Sequence, residues 1–375
     1  MIKIFESDFD TAEEKAVNNV IKSGWLTNGD MTIRFESDIK DILLNNNINV
    51  AAVSSCTAAL HIALMASNIK EGDEVIIPAL NFVSDFNVVK AVGAKPVLVD
   101  VESVDEWSPS LENIKRAITK KTKACIIVHF AGIPAKNIFE ISDYCKERNI
   151  VLIEDVAHAA GASINNSKCG SIGDFGAFSF YSNKNISTGE GGCISTKREI
   201  KKIKELRSHG MTASTLDREK GRVFSYDVSN VGLNYRIDEI RSAIGIEQLK
   251  KFEQKHKIRK QHVMTYLENL PKNIRTPYEN VVGNSSINTV DHIFPVLLPK
   301  ANIKSEVIEK LKQKKIQTTM HYPAPWNFSA YKNEFSSKGF EVTKEITDRE
   351  LTLPLHTKMS YSDVKYVCKC LGEFL

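Results

Sequence analysis

The chain has 375 residues, a formal net charge of +4 and 42% hydrophobic residues. That length exceeds the roughly 250–300 residues at which a single core stops growing, so two domains are expected. The small charge, with no basic stripe interleaved with aromatics, argues against a nucleic-acid partner, and the lack of an eighteen-residue apolar run argues against a membrane span.

From the N-terminus, MIKIFESDFDTAEEK carries charges where a secretory signal needs an apolar core. The seven cysteines are odd in number and scattered singly, as reduced thiols are, so a cytoplasmic protein is expected. Cys368 and Cys370 lie two apart on an expected terminal helix and make a poor metal pair; no metal site is anticipated. Short apolar strands at Val50 to Val53, Glu74 to Ile77, Pro96 to Val99, Ala124 to Val128 and Ile150 to Glu154 alternate with helical patterns. This alternation predicts an α/β fold with a mostly parallel sheet covered on both faces.

Three of these segments carry candidate chemistry. SSCTAALHIAL, directly after the first strand, turns into a helix through small hydroxyl residues and offers free backbone N–H groups at a positive helix terminus. Ser54, Ser55, Thr57 and Ala58 are the expected phosphate contacts. The strand IVLIE delivers Asp155 to the carboxyl edge of the sheet, where ligand sites of open α/β folds gather. Alone, Asp155 reads equally as a helix N-cap. His158, three residues on, reads either as a satisfied buried histidine or as a hydrogen-bond partner of a cofactor's phenolic oxygen.

FSFYSNKNISTGEGG follows, from Phe178 to Gly192. An apolar strand ends there in a polar loop that turns on glycines, and Lys184 sits in the loop. An amine so placed can be held out of bulk water with its pKa lowered, as attack on an aldehyde requires, and pyridoxal phosphate is the natural aldehyde partner. Asp155 would then pair with the pyridine nitrogen and keep the ring an electron sink. A lone lysine is most often a solvated charge, so Lys184 gains meaning only beside the other segments.

Cys193 to Thr196 is expected to return antiparallel to the lysine strand. Thr212 to Tyr226 reads as a flap or as a plain surface excursion. A large domain of residues 1–250 is expected to give way, through a charged helix at Lys250 to Leu267, to a smaller C-terminal α/β domain of residues 251–375. Lys312, Lys314 and Lys315 read as a solvated helix face.

Taken together the sequence resembles the DegT/DnrJ/StrS family of pyridoxal-phosphate-dependent sugar aminotransferases, within the type I aminotransferase fold. The resemblance runs nearly end to end. It is carried by the phosphate cup, the lysine loop, GWLTNGDMTIRFE at Gly24 to Glu36, IIPALNFVSDFNVVKAVGAKPVLVDV at Ile76 to Val101, EDVAHAAGA at Glu154 to Ala162, RSHGM at Arg207 to Met211, GLNYRIDEIRSAIGIEQL at Gly232 to Leu249, HYPAP at His321 to Pro325 and LTLPLH at Leu351 to His356. Cys56 departs from the glycine more usual before the Thr, which is tolerable where φ is negative.

The resemblance implies that Lys184 tethers the cofactor and moves protons, that Asp155 holds the pyridine nitrogen, that Phe82 stacks on the ring and that Ser179 binds the phosphate. It places Asn234 on the phosphate of the neighbouring subunit's cofactor, hence a homodimer with shared sites. L-Glutamate is the implied donor and a dTDP- or UDP-linked keto-6-deoxyhexose the implied acceptor, in amino-sugar and polysaccharide biosynthesis. Thr27, Asn28, His321 and Tyr322 are candidate substrate contacts, and Arg236 either meets the donor carboxylate or makes a surface salt bridge. Inositol-type ketones or phosphorylated trioses are alternative acceptors. A related sugar dehydratase replaces the lysine with histidine, so Lys184 argues against that branch. The absence of a helix-turn-helix argues against a regulator, and SSCTAA in place of G-x-G-x-x-G argues against a nicotinamide oxidoreductase.

Overall fold

A computed structural model describes residues 1–45 and 47–375 of the chain. Seven strands form the central sheet: β1 (Asn49–Val53), β2 (Glu74–Pro78), β3 (Lys95–Val99), β4 (Thr122–Val128), β5 (Val151–Asp155), β6 (Phe175–Ser179) and β7 (Gly192–Thr196), in the order β1-β7-β6-β5-β4-β2-β3. From β6 to β3 all neighbours are parallel. β7 alone runs against them, antiparallel to β6 and to β1, as the glycine-led return anticipated. The strands extend the expected apolar runs by a residue or two at their ends, except that the run expected at Ile150 to Glu154 is shifted by one residue, to Val151–Asp155.

Alternate residues of one strand enter different cores, the mark of a sheet covered on both faces. Val75 and Ile77 pack into one cluster with α3 (Cys56–Ala66) and α4 (Val83–Ala91), while Ile76 enters a second cluster with Ile138 and Ile141 of the helix Ile138–Glu147. A third cluster lies under α2 (Asp30–Leu43), which follows the N-terminal helix α1 (Thr11–Ser23).

After α5 (Glu239–Lys250), Lys251 separates a second helix, α6 (Phe252–Asn269), so the charged helix begins two residues later than expected. Beyond it an antiparallel pair, β8 (Phe294–Leu297) and β9 (Glu350–Leu353), packs with α6 and the last helix, α7 (Tyr361–Glu373). This C-terminal core takes in Leu80, Val101 and Phe130, each just past the carboxyl end of β2, β3 or β4. The C-terminal part therefore roofs the edge of the sheet where ligands bind. Contact is close: His292 N–H donates to Ala131 O at 3.0 Å and Val290 N–H to Gly132 O at 3.0 Å. At Gly132, with φ +92°, a Cβ would lie 2.9 Å from Asp291 N, so only glycine lets the two backbones meet.

Three of the quoted motifs serve this scaffold. Glu239 of α5 accepts hydrogen bonds from the backbone N–H groups of Gly29, Met31 and Thr32, closing the N-terminus of α2. Arg207 is buried and donates to Glu36 of α2 at 2.6 Å and to Ala52 O of β1 at 2.7 Å. These bonds join GWLTNGDMTIRFE to GLNYRIDEIR and RSHGM. The Thr212 to Tyr226 segment carries a short helix, Thr215–Glu219, tied to α2 through Lys220 and Asp30 at 2.9 Å. Lys312, Lys314 and Lys315 are exposed, as a solvated face should be. All seven cysteines are buried free thiols. Among the described residues no helix is long and apolar enough to cross a membrane, and no cluster of three or more His, Cys, Asp or Glu could hold a metal.

Candidate active site

The carboxyl ends of β1, β5 and β6 open into one cavity of about 480 Å³. Ser55, Thr57, Phe82, Asp155, His158, Ser179, Lys184, His321 and Tyr322 all line it, residues spread from the first to the fourth quarter of the chain. The strand-to-helix and strand-to-loop junctions bring them together, because every parallel strand presents its carboxyl end at the same edge.

Asp155 is the last residue of β5 and is 4% exposed. Its Oδ1 accepts the Ala157 N–H at 2.8 Å, but turns rather than a helix follow, so the N-cap reading does not hold. Burial pushes its carboxyl up, while the nearby Lys184 charge pulls it down. Asp85 of α4 lies beside it, fully buried and bonded to Asn81 Nδ2 at 2.8 Å and Ser84 Oγ at 2.9 Å. Burial and then the Asp155 charge push the Asp85 carboxyl well above the usual carboxylate range, with the Asn81 and Ser84 hydrogen bonds opposing.

Lys184 follows β6 in a turn in which its N–H donates to Tyr181 O at 2.9 Å. Burial lowers the amine from 10.5 to about 8, with Asp155 and Cys56 opposing. Such an amine is unprotonated in a useful fraction near neutral pH. Its Nζ lies 3.3 Å from His292 Nε2. His158 accepts the Ala131 N–H on Nδ1 at 3.3 Å, and its Nε2 lies 2.8 Å from the Tyr322 hydroxyl. Both ring nitrogens are thus engaged within the protein, and a bond from His158 to a phenolic oxygen would have to replace Tyr322. Phe82 is half exposed at the mouth, its ring 5.2 Å from that of Tyr322.

The cup after β1 is built as expected, with an internal cap. Ser55 is the N-cap of α3, and its Oγ accepts the Ala58 N–H at 3.1 Å, so Ala58 gives its own proton to the helix start. Ser54 N–H is likewise spent on Tyr235 O at 2.8 Å. Neither Ser54 nor Ala58 lines the cavity, whereas Thr57 and Cys56, the first residues of α3, do. Their N–H groups have no acceptor within the helix. Cys56 sits in the helix, so the thiol in place of glycine meets no positive φ.

Four anticipated residues stand apart. Thr27 and Asn234 are exposed. Asn28 and Arg236 line a separate hollow, where Arg236 Nη1 is buried with no hydrogen-bond partner among the described residues. Sequence reading missed Asp85, Glu190 and His292. Asn183 and Glu190 also line the cavity and stood in the quoted loop beside Lys184, but His292 lies 108 positions from Lys184 and had no local signal.

A buried carboxylate, an amine of lowered pKa, free N–H groups at a helix start and the buried, unpartnered Asn183 Oδ1 form a donor and acceptor set that fits pyridoxal phosphate. The fold and this site define a pyridoxal-phosphate-dependent enzyme of the aminotransferase class.

Comparison with known proteins is specific. Residues 7–372 match the DegT/DnrJ/EryC1/StrS aminotransferase family, and the chain belongs to it. It is 36% identical over 371 residues to an uncharacterized protein of Methanocaldococcus jannaschii, covering 94% of this chain and 92% of that protein. It is 30% identical over 382 residues to GDP-perosamine synthase of Vibrio cholerae, covering 100% and 99%. A Streptococcus pneumoniae protein described as a sugar aminotransferase superposes in its PMP form with a TM-score of 0.92 at 27% identity, covering 100% and 99% of the two chains; its PLP form has also been solved, with a TM-score of 0.89. The chain is a sugar aminotransferase of this family, and its cofactor is pyridoxal phosphate.

Proposed function

We propose that this enzyme moves the amino group of L-glutamate to the keto group of a nucleotide-linked keto-6-deoxyhexose, dTDP- or UDP-linked, in amino-sugar and polysaccharide biosynthesis. The observation that carries the reading is the joint placement of Lys184 and Asp155 in one cavity, the amine brought down to about 8 and the carboxylate buried beside it. The likeness to GDP-perosamine synthase, whose name contains a nucleotide-linked sugar, supports this substrate class.

Bound in the cavity, the cofactor supplies an aldehyde that takes up an amino group and a ring that stabilises negative charge on the carbon being deprotonated. Asp155 keeps a proton on the ring nitrogen by pairing a buried carboxylate with it. Thr57, Ser55 and Ser179 hold the phosphate with hydroxyl and helix-terminal N–H groups, with Ser54 and Ala58 shaping the turn. Phe82 covers the ring, and His158 with Tyr322, which packs against Phe82, supplies polar groups beside it. Lys184, once free, would take the proton from the donor's α-carbon and return it to the cofactor's C4′, the former aldehyde carbon two atoms along, being both tether and proton carrier. Asn234 completes the phosphate site of a partner subunit, which accounts for its exposure in a single chain. His321 and Tyr322 line the cavity beside the substrates, while Arg236, whose Nη1 is unpartnered in its separate hollow with Asn28, and the exposed Thr27 are assigned to the donor carboxylate and the sugar in the assembled dimer.

The test is a panel of dTDP-, UDP- and GDP-linked keto-sugars with L-glutamate, followed by 2-oxoglutarate release. Amination of at least one sugar nucleotide is expected. Turnover of an inositol-type ketone or a phosphorylated ketotriose with none of the sugar nucleotides would contradict the reading.

A further inference from the structure

We propose that His292 is a positioning residue that holds the free amine of Lys184 within reach of the reacting centre, with Asn185 fixing the histidine in the tautomer that lets it do so. This rests on Lys184 being the cofactor lysine, and it adds a part that neither the loop nor the neighbouring motifs supply.

The contacts assign the protons in one direction. Asn185 Nδ2 lies 2.6 Å from Val290 O, a carbonyl that can only accept, so the amide NH2 points there and Oδ1 points the other way. Asn185 Oδ1 lies 3.2 Å from His292 Nδ1. An amide oxygen can only accept, so His292 carries its proton on Nδ1 and leaves a lone pair on Nε2. That lone pair faces Lys184 Nζ at 3.3 Å, and the amine donates to it. The chain of bonds runs Lys184 to His292 to Asn185 to Val290 O, so two adjacent residues of the lysine loop, Lys184 and Asn185, are both tied to the C-terminal roof. A histidine buried for packing alone has no reason to place one nitrogen on the lysine and the other on the lysine's neighbour.

His292 is 3% exposed. Burial, with the charges of Lys184, His158 and Arg259, holds its imidazole well below the ordinary histidine range. It therefore stays neutral, and it accepts a hydrogen bond without taking the proton. This division suits a lysine that must itself carry the proton: four rotatable bonds would otherwise let the freed amine wander, and a fixed acceptor on the cavity wall returns it to one place.

The experiment is capture of pyridoxal phosphate by apoprotein, read as the rise of the visible absorption band. In that step the lysine nitrogen replaces the aldehyde oxygen, which leaves with two protons as water. Measurement at about pH 9.5, more than a unit above the lysine, leaves the amine free in every variant, so placement is separated from protonation. Asp155, Cys56, His158 and His321 are the other titratable groups around the amine, and they are the same in all variants.

Capture on Lys184 in the wild-type protein, located by peptide mapping, comes first: label elsewhere would sink the underlying reading and not this one in particular. His292→Leu should then slow capture roughly tenfold, the worth of one hydrogen bond to a buried polar group, while noncovalent arrival, read by tryptophan fluorescence, is unchanged. His292→Gln, whose Oε1 can accept in place of Nε2, should restore most of the rate. Asn185→Ala, which frees the tautomer, should slow capture as well and stands in if His292→Leu does not fold. Wild-type speed in the leucine variant, or in Asn185→Ala where that stands in, would overturn the proposal. So would a glutamine variant no faster than leucine with the fold intact.

Discussion

At the scale of single residues, the site depends on two groups whose environments push them in useful directions. Lys184 is brought from 10.5 to about 8 by burial. The folded value lies below the unfolded one, so the folded chain binds fewer protons between them and the burial penalty, fully present below pH 8, is relieved as pH rises toward 10. Cofactor-free Lys184→Met protein should therefore melt higher than wild type at pH 7, and the gap should narrow at pH 9.5. An unchanged gap across that range would mean the amine is not desolvated. Asp155→Asn keeps the shape of the carboxylate and removes its charge. Turnover should fall at least about a hundredfold while cofactor affinity weakens modestly, read by steady-state rates and by absorbance titration. Near wild-type turnover would assign the ring proton to another acid, with Asp85 the nearest candidate.

At the scale of elements, the site is a product of strand ends. β7 passes so close to the start of α3 that a Cβ on Gly192 would lie 2.6 Å from Ser55 C and 2.7 Å from Cys56 N, and closer still to Phe178 O. Gly192→Ala should loosen the cup, lowering stability by ~1–3 kcal/mol and weakening cofactor binding more than it slows chemistry, checked by denaturant titration and by reconstitution. What was legible in the sequence follows the same logic. The strands β1 to β7, the cup and the lysine loop are local patterns of apolar runs, hydroxyls and glycines, and they lie where those patterns put them. Asp85, His292 and the bonding of His158 to Tyr322 are contacts between distant segments, set by how the C-terminal roof seats on the sheet edge, and no local period or turn signal encodes them. Ser54 and Ala58 stand in the expected turn, but their N–H groups bond to Tyr235 O and Ser55 Oγ, partners that the local sequence pattern does not reveal.

At the scale of the whole molecule, several apolar side chains near Asn234 in sequence stand in water: Phe224 is 105% exposed, Val231 87% and Leu233 40%. Exposure of this kind fits the subunit contact that the proposed place of Asn234 at a partner's phosphate site requires. Lys184→Ala and Asn234→Asp proteins, each impaired alone, should then regain activity when mixed and allowed to exchange subunits, because one of the two sites in the mixed dimer is intact. No recovery after verified exchange would place Asn234 in its own chain's site. The central claim is narrower than the assembly: that Lys184, and no other lysine among the 50 Lys and Arg residues, bears the cofactor. Borohydride reduction of the yellow holoenzyme followed by peptide mapping tests it most directly. The account predicts a single modified peptide containing FSFYSNKNISTGEGG with the label on Lys184, and a label on any other lysine would contradict it.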